Sequence, residues 1–257
     1  MELLARTRIV TWEGGGLWVV DATPAAGRER KQTDFHAHHA IQIVIGLGGD
    51  FSLQTQSDQL GGDAVAVKEH VSHAFAAEGL LGLLFVEPES RVGRALSARL
   101  LSGRNLASLS PDALGDWPRR IIDAYKAESR DDGTLADLGR SLVQALAADT
   151  PGDRPDHRVR KMIARANQAL EHPLSLSDVV DVGALSAARL RHLFVEQTGL
   201  PFKTYVLWLR LTRAVERMAA GGSLTQAAHE AGFADSAHFS RTFKRMFGIA
   251  PAGLRIS

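Results

Sequence analysis

Histidines are the residues near the N-terminal end whose type and spacing could support chemistry. The sequence reads His36-Ala37-His38-His39, and His73 follows farther along the chain. Three imidazoles that converge inside a small barrel could bind zinc, iron, nickel or copper. The same residues could instead be structural histidines or contact a small-molecule ligand.

A second group of chemistry-bearing residues lies near the C-terminal end, between Ser223 and Pro251. Ser223 is a typical helix N-cap, and Gln226 three residues later completes a capping box. Gly232 interrupts the helical pattern where the backbone needs a left-handed conformation, and Phe233 would hold that turn to the core. A second helix follows, with an apolar face formed by Phe239, Phe243 and Phe247. Two short helices joined by a glycine-containing turn are typical of a helix-turn-helix motif.

The outer face of that second helix is small at its beginning and cationic farther along. This composition suits a helix that enters the major groove with its N-terminal end first, while cations meet phosphates. An ordinary amphipathic helix with a solvated basic face is the competing interpretation. The residues predicted to contact DNA are Ser236, Ala237, His238, Arg241, Lys244 and Arg245.

The run from Gly232 to Pro251 closely resembles the signature of the AraC/XylS family of bacterial transcription regulators. The shared features are Gly-Phe, an Asp two residues later, Phe-x-Arg-x-Phe-Lys, a Gly, then Pro and a terminal Arg. The resemblance covers about residues 157 to 257 well and extends more loosely over the N-terminal half. It implies DNA binding through two helix-turn-helix motifs.

A first motif is present upstream, as the resemblance requires. Ser175-Leu-Ser-Asp178 reads as a capping box that opens a helix, and a turn around residues 183–185 precedes a helix from Ser186 to Gly199. Its inner face holds Leu190, Leu193 and Phe194, which leaves three residues facing DNA: Ala188, Arg191 and His192. The motif departs from the family where Val180 replaces the usual Ala and Ala184 the usual turn Gly, so weaker base contacts are expected.

One long amphipathic pattern, Pro201 to Ala220, connects the two motifs, and Gly221-Gly222 ends it. Twenty helical residues span about 30 Å, close to the roughly 34 Å repeat of major-groove faces on one side of DNA. We therefore expect two recognition helices about one DNA turn apart. Trp208 is expected to be a core residue of this helix.

Charge and composition indicate two domains, at residues 1–150 and 151–257. Residues 153–257 contain 15 Lys and Arg against 9 Asp and Glu, whereas residues 1–152 contain 15 against 20. A Pro- and Gly-rich linker at 149–156 separates these regions. The absence of cysteine excludes disulfides, cysteine-ligated zinc and thiol redox chemistry. Neither a membrane span nor a signal-peptide core is recognisable, so a cytoplasmic protein is expected.

The fold class expected is a two-domain α+β protein: a cupin-like β-barrel followed by helices, then an all-α domain whose two motifs are joined by the long helix. Short apolar runs between residues 18 and 86 predict strands, and patterns at 90–101, 117–129 and 134–148 predict helices. Glycines at 14–16 and 46–49 are read as hairpin turns rather than phosphate loops. Inward strand residues expected to line an apolar pocket are Ile41, Ile43, Val65 and Phe85.

The histidines resemble the first cupin motif, and His73 lies where the second motif places its histidine. Metal-binding cupins usually add a Glu where this chain has Gln42, a neutral and weaker ligand. We therefore predict no metal and no cofactor. A ligand-contacting role is kept for four residues: His36, His38, Gln42 and His73.

The predicted function is that of an effector-responsive, sequence-specific transcription regulator and not an enzyme. Its expected partners are double-stranded promoter DNA, RNA polymerase, an unknown small molecule and a second copy of the chain. Dimerisation is predicted through a stripe of Leu135, Leu138, Leu142 and Ala145. Residues 157–257 alone are expected to fold and bind DNA. The alternative is a metal-dependent cupin enzyme with an accessory DNA-binding tail.

Overall fold

The computed structural model describes residues 5–23, 31–148, 155–179 and 186–256. The chain divides into two compact units. Met1–Gly152 and Phe243–Ser257 form the first unit, and Asp153–Thr242 form the second. Most of the predicted linker, residues 149–154, lies outside the described part of the chain. Among the described residues, none of the helices combines the length and the apolar composition that a membrane span requires.

The first unit combines eleven described strands with four helices. The strands are β1 (Ala5–Trp12), β2 (Gly15–Asp21), β3 (Lys31–Gln32), β4 (Ile41–Gly46), β5 (Asp50–Gln54), β6 (Gln59–Gly61), β7 (Ala64–Val67), β8 (Ala74–Glu78), β9 (Leu80–Val86), β10 (Leu106–Leu109) and β11 (Leu254–Ile256). The helices are α1 (Arg91–Leu100), α2 (Pro111–Leu114), α3 (Trp117–Lys126) and α4 (Asp132–Ala147). The three predicted helices are therefore confirmed, α1 and α3 with slightly shorter bounds and α4 with an earlier start, whereas α2 was not predicted.

The strands form two sheets rather than one closed barrel. A seven-stranded sheet has the order β10-β7-β4-β9-β2-β1-β11, and a four-stranded sheet has the order β3-β8-β5-β6. The expected sheet-rich, cupin-like domain is thus present, with its strands divided between two layers. Gly14 lies in the hairpin between β1 and β2, where Trp12 pairs with Gly15. Glycines 46–49 instead connect strands of different sheets, so the hairpin expected there is wrong.

Helices α1 and α4 pack with one face of the large sheet in a single hydrophobic core. Ile41 and Ile43 of β4 belong to this core together with Leu96, Leu135 and Leu142. Successive strand residues point to opposite faces, so the intervening Gln42 faces away from the helices. The expectation that Ile41 and Ile43 line a ligand pocket is therefore wrong. A one-residue register error exchanges the two faces of a strand.

The leucine stripe of α4 faces its own unit. Leu135 and Leu142 are fully buried, and Leu138 packs against the same core from a partly buried position. Burying each such side chain stabilises the fold by about 1.5–3 kcal/mol. The stripe is therefore not a dimer seam, and a charged residue at position 142 would disrupt the unit. Of the four predicted seam residues only Ala145 is exposed.

The C-terminal segment adds a strand to the large sheet. β11 lies parallel to β1, with Ala5 opposite Leu254 and Thr7 opposite Ile256. The indole of Trp18 lies 6.3 Å from the ring of Phe243 and 5.0 Å from that of Phe247, measured between ring centroids. Folding of residues 157–257 alone stays a prediction, and such a fragment would lose these contacts.

The second unit is helical. Its elements are α5 (His157–Gln168), α6 (Leu176–Val179), α7 (Ala187–Thr198), α8 (Phe202–Ala219), α9 (Leu224–Glu230) and α10 (Ser236–Phe247), whose last five residues belong to the first unit. Helix α8 supplies much of the core, and Trp208 is buried as predicted. The Arg210 guanidinium donates to the carbonyls of Leu170 and His172 at 3.0 and 2.7 Å, which ties α8 to the segment that follows α5.

Candidate nucleic-acid interface and histidine cluster

The second helix-turn-helix begins with the predicted cap on α9. The Ser223 hydroxyl oxygen accepts a hydrogen bond from the backbone N–H of Gln226 at 3.2 Å. The Gln226 side chain does not complete a capping box, because it donates instead to Glu230 one turn farther along, at 2.9 Å. The helix therefore has a one-sided cap.

Gly232 has the left-handed backbone that its position predicts, with a φ of +80°. A Cβ atom at this residue would lie 2.0 Å from the carbonyl oxygen of Leu170, closer than any side chain tolerates. The following residue, Phe233, is buried and lies 5.2 Å from Phe239, ring centroid to ring centroid. Both the glycine and the aromatic anchor are required by packing within the second unit.

An aspartate that the local pattern had not marked as a cap directly precedes helix α10. The Asp235 carboxylate accepts from the backbone N–H of His238 at 2.6 Å. Negative charge at this end of a helix also complements the helix dipole. Phe239, Phe243 and Phe247 are buried, which confirms the predicted inner face.

The first motif has the same plan, although residues 180–185 lie outside the described part of the chain and include its turn, Val180 and Ala184. The Asp178 carboxylate accepts from the backbone N–H and the hydroxyl of Ser175, at 2.7 and 2.6 Å. The Ser186 hydroxyl accepts from Arg189 N–H at 3.3 Å and caps α7. Leu190 and Phe194 are buried on the inner face.

A separate cluster of three imidazoles lies in the first unit. A non-local backbone bridge joins His36 to His73, each N–H donating to the other residue's carbonyl at 2.9 Å. The ring centroids of His36 and His73 are 4.3 Å apart, and those of His38 and His73 are 5.2 Å apart. One nitrogen from each of the three buried rings lies within 4.8 Å of the others.

The hydrogen bonds of these rings determine which nitrogen carries the proton. The Nδ1 atoms of His36, His38 and His73 face the carbonyl oxygens of residues 34, 40 and 71 at 2.8, 3.1 and 2.8 Å. Because a carbonyl oxygen only accepts, each Nδ1 donates. In a neutral ring the Nε2 atom is then an acceptor.

Gln42 of β4 lies among these rings, on the opposite face of the strand from Ile41 and Ile43. Its Oε1 atom is 2.9 Å from Nε2 of His38 and 3.1 Å from Nε2 of His73. The four residues predicted to contact a ligand are therefore brought together, with Gln42, His38 and His73 nearly inaccessible to solvent.

Burial keeps the cluster neutral near pH 7. It lowers the pKa of His36 to about 4, with a further contribution from neighbouring His73. The pKa of His38 is held well below its usual value by burial and then by the other two rings. Burial also lowers the pKa of His73. Desolvation disfavours the charged imidazolium in each case.

Aromatic residues and one glycine of the first unit surround the cluster. The ring of His38 lies 5.4 Å from Phe85 and 6.0 Å from Phe247. Gly248 has a φ of +70°, and a Cβ there would lie 2.6 Å from Nδ1 of His36. Its carbonyl accepts from the backbone N–H of Asp34 at 2.9 Å. Of the predicted pocket-lining residues, Phe85 does lie beside the histidines.

A second polar chain was missed by the sequence reasoning. His39 lies 2.9 Å from the Glu89 carboxylate through Nε2 and 3.1 Å from Nε2 of His70 through Nδ1. His39 and Glu89 are buried. They are fifty positions apart, in two different connecting segments, so no local spacing could have paired them.

Comparison with known proteins finds a family match in the C-terminal part of the chain. Residues 179–256 match the model of a family described as a helix-turn-helix domain. The transcriptional activator RhrA of Rhizobium meliloti is 31% identical over 123 residues, 46% of this chain and 39% of RhrA. The HTH-type transcriptional regulator YidL of Escherichia coli is 35% identical over 110 residues, 42% of this chain and 37% of YidL. The chain thus matches well under half the length of these two relatives.

Residues 179–256 are an AraC-type helix-turn-helix domain.

The fold match is broader than the sequence match. ToxT of Vibrio cholerae superimposes with a TM-score of 0.58 over 97% of this chain and 96% of ToxT, at 13% identity. At this identity the match shows a shared fold, with a sheet-rich first part and a helical AraC-type domain.

The predicted DNA-contact residues of the AraC-type domain occupy different environments. Ala188, Arg191, His192, Ala237, Arg241 and Arg245 are exposed, whereas Ser236 and His238 are partly buried. The His238 ring packs edge-on against Phe233 at 5.2 Å. The Lys244 ammonium lies 3.2 Å from the Asp34 carboxylate and forms an ion pair with it.

Proposed function

We propose that this chain is a sequence-specific DNA-binding transcription regulator of the AraC/XylS type. The observation that carries the proposal is the pair of capped helices, α7 and α10, each with a buried inner face and an exposed arginine opposite. Those arginines are Arg191 and Arg241. A guanidinium on the outer face of a groove-bound helix suits bidentate hydrogen bonding to guanine.

Small residues precede each arginine on its helix. Ala188 and Ala237 are exposed near the N-terminal ends of α7 and α10. A methyl group lets the helix backbone approach the base edges and can contact a thymine methyl. The two helices therefore offer the same succession, small and then cationic, to a major groove.

The length of helix α8 supports the proposed spacing of the two recognition helices along DNA. Its 18 residues span about 27 Å at 1.5 Å per residue, somewhat shorter than the 30 Å expected from sequence. Buried Tyr205, Trp208 and Leu209 anchor it in the second unit. A rigid helix of this length suits two recognition helices that enter successive major-groove faces on one side of DNA.

Charge supplies the non-specific part of the affinity. Residues 153–257 carry six more Lys and Arg than Asp and Glu. Cations that neutralise phosphates release counterions, so affinity should fall steeply as salt increases.

The first unit is proposed to bind a small-molecule effector. ToxT, which has the same fold, has been crystallised with an unsaturated fatty acid bound, in a structure that matches at a TM-score of 0.53. Contact with RNA polymerase, a cytoplasmic location and dimerisation belong to the same proposal. A dimer would have to use a surface other than the buried leucine stripe of α4.

Selection of duplexes from a random DNA pool by the intact chain tests this function. We expect an enriched sequence with two conserved patches. The double variant Arg191→Ala/Arg241→Ala should lose enrichment, while Arg104→Ala, an exposed arginine of the first unit, should retain it. Failure to enrich any sequence, or metal-dependent turnover without DNA binding, would support the alternative cupin enzyme.

A further inference from the structure

The histidine cluster brings ring nitrogens close to the side-chain oxygen of Gln42. Each Nδ1–H of His36, His38 and His73 is directed to a backbone carbonyl. Their remaining nitrogens are lone-pair acceptors, and those of His38 and His73 lie within hydrogen-bond distance of another acceptor, Oε1 of Gln42. Three imidazole nitrogens and an amide oxygen that converge in this way form a ligand set suited to a transition-metal ion.

A turned Gln42 amide would satisfy only part of this arrangement. Its two N–H groups could donate to His38 and His73, at the positions where Oε1 now lies 2.9 and 3.1 Å away. No amide hydrogen would then remain for His36, whose ring nitrogen belongs to the same group of three. A single ion can be shared by all four side chains.

We propose that His36, His38, His73 and Gln42 bind one divalent transition-metal ion in the first unit. This proposal departs from the sequence-based expectation of no metal. Metal binding is a property separate from the proposed DNA binding, and it is measured without DNA.

The donor set indicates the class of metal. Imidazole nitrogens suit zinc, nickel and copper, whereas calcium and magnesium prefer oxygen ligands. Nitrogens bound to one zinc ion at about 2.0–2.1 Å lie at most about 4 Å apart. The three nitrogens here lie within 4.8 Å of one another, so binding requires a modest inward movement of the rings.

Hydrogen bonds to the backbone already orient the three rings for this role. Metal-binding histidines usually donate their other N–H to a carbonyl or carboxylate, which fixes the ring and increases ligand basicity. All three rings have such a bond to backbone carbonyls. The four ligands are neutral, so they do not balance the positive charge of the ion. A carboxylate in place of the Gln42 amide should therefore strengthen metal binding.

The test is titration of the intact, untagged and chelator-stripped chain with Zn²⁺ and with Co²⁺. We expect one equivalent per chain, with visible Co²⁺ absorption bands characteristic of nitrogen ligation. His73→Ala should weaken binding by more than about 100-fold, since loss of a supporting group alone costs about 10–100-fold. Gln42→Glu should tighten it by about tenfold or more.

His70→Ala is the matched control, because this ring lies beside His39 and outside the cluster. It should bind metal like the wild-type chain. If His73→Ala is unfolded by circular dichroism, the stoichiometry of the wild-type chain and the effect of Gln42→Glu decide. A wild-type chain that binds no metal at 100-fold excess over protein overturns the proposal. Equal loss in His70→Ala and His73→Ala also overturns it.

Discussion

The two recognition helices, α7 and α10, have nearly the same local chemistry and different surroundings. Each has twelve residues and ends at a left-handed glycine whose N–H donates four residues back, Gly199 at 2.7 Å and Gly248 at 2.8 Å. Around Gly248 the first unit leaves no space for a side chain. Only α10 therefore ends against residues of the histidine cluster.

This difference indicates that the two motifs have unequal tolerance to change. The turn before α10 requires a glycine at position 232, where both backbone angle and neighbouring carbonyl exclude other residues. The first motif has Ala184 where the family has its turn glycine. Local caps stabilise the start of both helices. Tertiary contacts restrict substitutions around α10 more than around α7.

The largest expected effect is that of Gly232→Ala on stability. The new Cβ would meet the Leu170 carbonyl oxygen at 2.0 Å, so we expect a loss of about 2–4 kcal/mol in the free energy of unfolding. Gly221→Ala is the matched control, because Gly221 also has a positive φ but open space around it. It should cost only about 1–2 kcal/mol. Equal losses in urea denaturation would contradict the packing argument.

The next effect concerns the arginines on DNA. Arg241→Ala should reduce affinity for a selected site by about 1–3 kcal/mol and relax base preference at one position. Arg191→Ala should act likewise on the other half of the site, by an equal or smaller amount. Fluorescence anisotropy on selected and random duplexes measures both. An equal loss on random DNA would make either residue a phosphate contact.

The smallest expected effects come from the helix caps. The hydroxyls of Ser223 and Ser186 accept single hydrogen bonds at 3.2 and 3.3 Å. Replacing either residue by Ala should cost about 1 kcal/mol of stability, and by Gly only a few tenths. Thermal unfolding of the four variants measures this. A loss above about 2 kcal/mol at either site would show that the serine has another role.

Acid should weaken the first unit more than the second. Burial lowers the folded-state pKa of His36 and of His70 to about 4. The unfolded chain therefore binds more protons than the folded chain between about pH 6.5 and 4, and stability falls as pH falls through this range. The stability of the first unit is measured by urea unfolding with chelator present, in variants that keep tryptophans in this unit only. The signal is the fluorescence of residues such as Trp12 and Trp18. A midpoint independent of pH would contradict the buried neutral rings.

The sequence predicted the AraC-type domain in more detail than the first unit, for a physical reason. Caps, a left-handed glycine and a four-residue aromatic repeat are local signals, and Ser223, Gly232 and Phe243 have the positions they predict. Sheet registers are non-local. The choice between Ile41 and Gln42 as the inward residue depends on pairing across β4, β7 and β9.

Pairings between distant segments could not be predicted from local sequence patterns. β11 pairs with β1 although the two strands lie near opposite ends of the chain. A short strand such as β10 has no alternation strong enough to be recognised. The leucines of α4 have spacings that fit both a coiled-coil seam and a core-facing stripe. The sheet against which α4 packs shows that these leucines form a core-facing stripe.

The central claim is that both motifs read DNA, and protection of a selected duplex tests it most directly. Major-groove methylation protection by the intact chain should show two guanine patches on one face of the duplex, about one helical turn apart. Arg241→Ala should remove protection from one patch and Arg191→Ala from the other. A single protected patch, or two patches that respond together to either variant, would contradict the account.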